Sequence, residues 1–521
     1  MPDAHLPPLA RALLDPRLYP HRPARVELVQ THISYVFLAG DQVYKVKKPV
    51  RFAFLDFSTL ERRRHFCHEE VRLNRRLAGD VYRGVVALRA AGDGFALADE
   101  ACPDAVEYAV HMHRLPADRM LPALLADDRV TPAMIDAVAD RLVEFHAAAE
   151  SGGRVRAGGD PTVIARLMDD DFGECATFHG RTIDAADDAA IQAFCHAFLR
   201  RNEALLRRRQ AQDRIRDGHG DLHTEHLCFT DAGLVIFDCI EFNPAFRHRD
   251  VAAEIAFLAM DLTCCGRADL AGRLVARYSE RTGDRELPRL VPFYACHRAY
   301  IRGKVESLKS AEMEVARPAR EAAAQSAARH FALALRYTWS GVRALVVVGG
   351  LSGSGKSTVA AALAARTGFV HLNSDALRKR LAGIAPTDRP GAALYTPEMN
   401  ARTYRALYDG AAAALADGHG AIVDATFQRR VDRDRARAIA DAAGAPVLFV
   451  ECRCDEAELR RRLADRTARG DSASDADWDV YVRQRNRYEP YDADDANHLA
   501  VETTRADVVR MVESRLRAAE V

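Results

Sequence analysis

The chain has 521 residues, 48% hydrophobic and 28% charged, a globular balance too long for one ordinary core, so two to four domains are expected. A formal net charge of +0 removes the global positive field that bulk nucleic-acid or membrane-surface binding would use. The 11 cysteines lack paired zinc spacing, no apolar run is long enough to span a membrane and no signal-peptide core opens the chain, so a reducing cytoplasmic setting is expected.

From Val26 to Val110 the pattern predicts strands with one helix. Val36-Phe37-Leu38 and Val43-Tyr44-Lys45-Val46-Lys47 flank a turn at Ala39-Gly40-Asp41, a hairpin signal. Leu60 to Leu77 carries apolar residues at helical spacing, and Val85 to Leu97 returns to strand character around Gly92-Asp93-Gly94. From Asp118 to Tyr337 the stripes are helical, at Ile135–Ala149, Ile191–Arg209, Val251–Cys264, Phe293–Lys309 and Arg317–Arg336. Inside this region lies a small predicted hairpin, Leu227-Cys228-Phe229 and Leu234-Val235-Ile236-Phe237. A hairpin embedded among helices often marks catalysis.

His219-Gly220-Asp221-Leu222-His223 precedes that hairpin and Asp238 ends it. Phosphoryl transfer needs two carboxylates so placed, one to orient the attacking hydroxyl and one to hold a magnesium ion. A rival reading gathers His219, His223 and His226 around a transition metal, and a third makes the loop a hydrogen-bonded core element without chemistry. The segment resembles the aminoglycoside phosphotransferase family, which has a protein-kinase-like fold. That resemblance implies Asp221 as catalytic base and Asp238 as metal ligand. It also asks for a strand lysine, Lys45 with Lys47 as rival, and a helix glutamate, Glu70 with Glu69 as alternative. Two departures stand out. The family's second metal ligand is Asn where this chain has His226, a poor ligand for magnesium, so one metal suffices, Glu225 or Glu241 substitutes, or this half is weakened. The expected glycine-rich loop, Thr31 to Gly40, has a single glycine.

Thr338 to Gly341 reads as a linker. Beyond it strands alternate with helices: Ala344–Val348, the helix from Lys356, Phe369–Leu372, Ala421–Val423 and Pro446–Glu451. That alternation predicts a parallel sheet with helices on both faces. Gly350-Leu351-Ser352-Gly353-Ser354-Gly355-Lys356-Ser357, followed by Thr358, matches the P-loop pattern between a β-branched strand and an Ala-rich helix. Its glycines free backbone N–H groups to turn toward phosphates. The helix N-terminus favours the same anion, Lys356 supplies a charge, and the Ser357 hydroxyl reaches magnesium. Asp375, after the second strand, is the expected general base, or else an N-cap. Arg378 is the expected substrate contact, for a phosphate or carboxylate. Asp424, ending the third strand, is the expected carboxylate near magnesium. Arg460, Arg461, Arg462 and Arg466 lead into a polar stretch, Asp471 to Asp477, and read as a lid or as a solvated helix face.

Ala344 to Val521 resembles the small P-loop kinases that include polynucleotide 5′-hydroxyl kinases, gluconate kinase and zeta-toxin-like kinases. Thr31-His32-Ile33-Ser34, the phrase from Phe52 to Glu61 and Phe237 to Asn243 make the whole chain similar to a bacterial family of bifunctional aminoglycoside phosphotransferase/ATP-binding proteins. The expectation is a multidomain protein. Residues 1–117 and 118–338 form the two lobes of a protein-kinase-like α+β fold, and residues 342–521 form an α/β P-loop kinase. ATP and Mg2+ are the implied cofactors and a small-molecule hydroxyl the implied acceptor, with no membrane partner. A nucleic-acid 5′-hydroxyl end is the less favoured acceptor, since it would need a basic groove with stacking aromatics near Arg378 such as Tyr395, Tyr404 or Tyr488. A non-enzymatic alternative is an ATP-dependent switch acting on a degraded kinase-like half. The stretch Arg51 to Glu61 reads as a packed loop without assigned chemistry.

Overall fold

The computed structural model describes residues 6–52, 54–92, 94–312, 315–385, 394–469, 478–492 and 495–519. It divides into two compact units, Met1–Ala334 and Leu335–Val521.

The first unit begins with a six-stranded antiparallel sheet. Its order is Val26–Gln30, Ser34–Ala39, Gln42–Lys47, Ala105–His113, Tyr82–Ala91, Gly94–Ala98. The side-chain period of two decides what each face receives. Along Gln42–Lys47, Tyr44 and Val46 pack with Phe37, Leu88, Ala109 and the N-terminal residues Leu13 and Tyr19. The alternating positions Lys45 and Lys47 therefore face the opposite side, where the helix Leu60–Ala78 lies. That helix starts where the Thr59 hydroxyl accepts from the Arg62 amide and stops at Gly79, whose φ of 51° no L side chain adopts readily. Its Cys67, Val71 and Ala78 pack on Tyr82, Val85, Tyr108 and Val110 of the sheet.

The rest of this unit is helical. Val251–Cys264 is buried continuously from Val251 to Leu262 and is the central helix, against which Ala268–Thr282 and Leu287–Ala311 pack. Two short pairs interrupt the helices, Leu227–Thr230 with Gly233–Ile236, and Ile215–Asp217 with His248–Asp250. The expected continuous stripe Ile191–Arg209 is instead two helices, Ala185–Arg201 and Glu203–Ala211. The break is at Asn202, whose backbone leaves helical geometry and whose side chain donates to the Phe198 carbonyl at 3.0 Å. The stretch after Val50 also departs from expectation. It forms a small hairpin, Arg51–Phe52 with Leu55–Asp56, that leaves Phe52 and Phe54 exposed and, among the described residues, buries Leu55 and Phe57.

The second unit is a five-stranded parallel sheet ordered Val370–Asn373, Ala421–Asp424, Leu345–Gly349, Val447–Arg453, His498–Glu502. Its central strands are buried along their length, as helices on both faces require. One face receives Leu407, Tyr408 and Ala411 of the helix Pro397–Ala416 and Ala436 and Ala440 of Arg430–Ala442. The other receives Val359 and Leu363 of Lys356–Thr367 and Val512 and Leu516 of Val508–Ala519. Three strand ends, at Gly349, Asn373 and Asp424, thus open at one edge of the sheet, where ligands of open α/β sheets bind.

Candidate functional site

In the second unit the loop from Gly350 runs out of the central strand into the helix Lys356–Thr367. Gly350 has φ 147°, and a Cβ there would stand 2.6 Å from both the Cys452 carbonyl oxygen and Ser354 Oγ. Gly355 is the helix N-cap at φ 89°, and no side chain caps the turn. The first amides of that helix therefore remain open to an outside acceptor. Thr503 braces the loop from the edge strand, since its hydroxyl lies 2.6 Å from the Ser354 carbonyl and accepts from Arg462 Nη1 at 2.9 Å. Arg462, predicted as a lid residue, thus lies against the loop, where its Nη1 would be 2.8 Å from a Cβ on Gly355. The Ser352 amide donates to Gln484 Oε1 at 2.9 Å. Gly353 completes the loop with φ 85°, and Thr358 follows Ser357 on the exposed side of the first helical turn.

Asp424 is fully buried beside the Val348 and Asn373 positions of its neighbouring strands. Its Oδ2 accepts from Asn373 Nδ2 at 2.5 Å, and the same Nδ2 lies 3.5 Å from Ser357 Oγ. Burial would raise its pKa, but His371 at 3.5 Å, the nearby Lys356 charge and the polar groups of Ser357 and Asn373 outweigh it, and the carboxyl is held below its usual range. Asp424 Oδ1 is buried with no hydrogen-bond partner. An anionic oxygen left so, close to the Ser357 hydroxyl, is an oxygen donor set that fits a hard divalent cation.

Asp375 lies in the first turn of Ser374–Ala382, but it does not cap that helix. Asn373 does so, its Oδ1 accepting from the Ala376 amide at 2.9 Å. Asp375 instead accepts from Arg378 at 2.5 Å. Arg378 is buried, reaches Asn400 at 3.3 Å and stacks its guanidinium on Tyr395 at 4.5 Å. The expected base and the expected substrate contact are thus partners of each other. Arg460 pairs with Glu456, and Arg461 with Glu458 and Asp465, both on the exposed side of their helix. The side chain of Arg466 and the stretch Asp471–Asp477 lie outside the described residues.

In the first unit the predicted residues also converge. Lys45 Nζ lies 2.8 Å from Glu70 and 2.6 Å from Asp238. Lys47, two residues along the same face, is completely buried, 2.7 Å from the other Glu70 oxygen and paired with Glu241. One glutamate therefore serves both lysines. Glu69 points away and pairs with Arg72. Burial alone would lower the Lys45 pKa, but Asp238 and Glu70 more than offset it and hold it well above normal. Burial raises the Glu241 carboxyl despite the Lys47 charge. Asp238 has a left-handed φ of 62°, uncommon for a non-glycine residue. Its amide donates to the Tyr82 hydroxyl at 3.2 Å and the next amide, of Cys239, to Asn74 at 2.8 Å, which fixes the turn that aims the carboxylate at Lys45.

The loop before it is pinned from the central helix. The Gly220 amide donates to Glu254 at 2.6 Å, and the Thr224 amide and hydroxyl both donate to Asp261. His219 uses both ring nitrogens, one on the Phe237 carbonyl at 2.8 Å and one accepting from the Asp221 amide at 3.3 Å, so it supplies no metal ligand. His226 stands between the two aspartates, 3.8 Å from Asp221 and 3.6 Å from Asp238. Burial and the adjacent His223 push its pKa down to about 3. Burial would raise Asp221, but His223 and His226 outweigh it, and the carboxyl is held far below its ordinary value. Of the two glutamates expected as substitute ligands, Glu241 is committed to Lys47 and Glu225 is largely exposed, 3.9 Å from His223. The donors at this second site do not match the all-oxygen preference of magnesium.

Sequence reading missed the roles of Asn373, Thr503, Gln484 and Glu254. Only Asn373 carried a local signal, a capping residue between a strand and a helix. The others reach the sites from distant elements.

Residues 345–491 match a family model described as AAA domain. Among solved structures the chain is similar to a gluconokinase from Sinorhizobium meliloti 1021, 24% identical, covering 34% of this chain and 94% of that one at a TM-score of 0.26. It is also similar to the APS kinase CysC of Mycobacterium tuberculosis, 22% identical, covering 34% and 98% at a TM-score of 0.25. Two mycobacterial relatives match far more of the chain. The uncharacterized proteins Rv2004c of Mycobacterium tuberculosis H37Rv and Mb2027c of Mycobacterium bovis are each 30% identical over 470 residues, 87% of this chain and 91% of their own. With identity sustained across both units, the chain belongs to the family of these mycobacterial proteins.

Proposed function

We propose that the chain is an ATP-dependent phosphotransferase acting on the hydroxyl of a small molecule, with its principal site in the second unit. The observation that carries this reading is the meeting of Ser357, Asn373 and the buried, half-unpartnered Asp424 at the mouth of the glycine loop. The AAA-domain match over the same residues supports nucleotide binding there. In this reading the amides after Gly350 and the Lys356 ammonium hold the β- and γ-phosphates. Ser357 and Asp424 hold Mg2+, which when bound neutralises charge on the transferring group. Asp375 accepts the proton of the acceptor hydroxyl, and Arg378 fixes its carboxylate oxygen so that one lone pair faces the acceptor. Arg462 stands against the loop, held by Glu458 and Thr503, and reaches phosphate oxygens by exchanging those contacts.

The acceptor is better read as a small molecule than as a nucleic-acid end. Arg378 already stacks on Tyr395, and the Tyr404 and Tyr488 hydroxyls are bonded within the protein near Thr426, Phe427 and Glu451, which supports the small molecule. No helix among the described residues is long and apolar enough to cross a membrane.

The first unit is proposed as a second phosphotransfer module, with Lys45 and Glu70 as the phosphate-side pair, Asp238 beside them and Asp221 as base. The Lys45–Glu70–Asp238 contacts support that assignment.

The test is ADP release from the full chain across a library of hydroxyl compounds, beside the Lys356→Ala variant. Acceptor-dependent ADP release lost in Lys356→Ala supports the reading. Equal acceptor-dependent release in both proteins overturns the second unit as the principal site and moves transfer to the first, and hydrolysis that no acceptor stimulates overturns the reading and favours a nucleotide-driven switch.

A further inference from the structure

The turn Thr224–His226 in the first unit brings three donors to one point. Asp221, His223 and His226 each place one ligand atom there, and these atoms lie within 4.8 Å of one another. The turn is closed by the His226 amide on the His223 carbonyl at 3.0 Å, which brings the two rings to 4.0 Å between centroids. It is braced by Asp261 through both polar groups of Thr224. The tautomer of His226 follows from its partner. Nδ1 lies 2.8 Å from the Asp221 carbonyl, an acceptor, so Nδ1 carries the hydrogen and Nε2 keeps its lone pair. That Nε2 stands 3.6 Å from Asp238 Oδ2, and His223 Nε2 stands 3.4 Å from Asp221 Oδ2. Ligands about 2.0–2.2 Å from a tetrahedral zinc ion are roughly 3.3–3.6 Å apart. Each of these two pairs has that spacing, and with the three ligand atoms within 4.8 Å of one another the set closes on one ion by small side-chain rotations.

We propose that the first unit holds one divalent ion of the zinc class at Asp221, His223 and His226, with Asp238 as a fourth donor within reach. Two imidazoles and a carboxylate select a borderline transition ion over Mg2+, which prefers oxygen. The surrounding bonds are those of an organised metal site: a ligating histidine held through its other nitrogen by a carbonyl, and a turn fixed by buried acids. The inference does not depend on phosphotransfer. It does bear on it, because a ligated Asp221 is a weaker proton acceptor. Zinc is therefore expected to inhibit any transfer that uses Asp221.

The experiment uses the full chain, stripped with a chelator and dialysed against Zn2+ with metal analysis. The wild type is expected to hold one more zinc per chain than the His223→Gln/His226→Gln variant, with His226→Asn weakening that ion by more than about tenfold. Millimolar Mg2+ should leave it in place. Equal zinc content in folded wild type and double variant, or displacement by equimolar Mg2+, overturns the proposal. Cobalt titration of the wild type covers the case of a variant that does not fold. A four- or five-coordinate spectrum without a thiolate charge-transfer band supports the site. A spectrum of aqueous cobalt, or one dominated by thiolate, refutes it.

Discussion

Asn373 joins the two halves of the proposed chemistry through one side chain: its Oδ1 caps the helix that carries Asp375, and its Nδ2 holds Asp424 at 2.5 Å. The two contacts can be separated by substitution. Asn373→Ala loses both and is expected to cost about 1 kcal/mol of stability as well as turnover. Asn373→Ser keeps a capping oxygen but cannot reach Asp424. Thermal unfolding should therefore recover in the serine variant while the initial rate does not. Recovery of both would mean that the Asp424 contact is incidental.

Asp375→Asn isolates the proton-accepting role. Asparagine retains an oxygen for Arg378, so the helix and the Tyr395 stack should persist. ATP affinity by calorimetry should be unchanged, while transfer falls by about 10²–10⁴-fold. An unchanged rate would reduce Asp375 to the partner of Arg378.

Much of this site was legible in sequence because its parts are local. The glycine pattern, the lysine and serine after it and the acidic residue ending a β-branched strand all lie within single strand–loop–helix units, where spacing fixes placement. The edge strand His498–Glu502 was not legible. It is five residues long with only Val501 buried, which gives a weak strand signal, and its role depends on Thr503 reaching Ser354 across 149 residues of chain. In the first unit the strand period put Lys45 and Lys47 on one face but could not rank them, because the choice depends on where Glu241 folds back. Nor could spacing replace His219 by Asp221 in the histidine cluster, since that depends on the Phe237 carbonyl occupying His219.

The two lysines predict different defects. Lys47 is fully buried between Glu70 and Glu241, and Lys45 still holds Glu70 when Lys47 is removed, so Lys47→Met leaves buried Glu241 unmatched and should destabilise the first unit by about 3–5 kcal/mol. Lys45 is slightly exposed beside Asp238, and Glu70 keeps Lys47 when it is removed. Lys45→Met should therefore fold, and lose nucleotide affinity measured in a Lys356→Ala background, where the second unit is silent. Reversed outcomes, with Lys47→Met folded and Lys45→Met unfolded, would exchange the roles.

His111 contributes to the acid sensitivity of the first unit. Its ring stacks on Tyr44 at 4.7 Å between centroids and contacts Gln42 Oε1 at 2.6 Å. Burial, helped by the Arg83 charge, lowers its pKa from 6.5 to about 4. Unfolded, the imidazole binds a proton below about pH 6.5; folded, it does so only near pH 4. Between these values the unfolded chain holds more protons, so stability falls as pH drops through that window and is fully present above it. His111→Gln retains a polar group toward Gln42 but has no such titration. Urea unfolding followed through the first unit should show a midpoint that declines from pH 6.5 to 4 in the wild type and less steeply in His111→Gln. Parallel declines in the two proteins would place the acid sensitivity elsewhere.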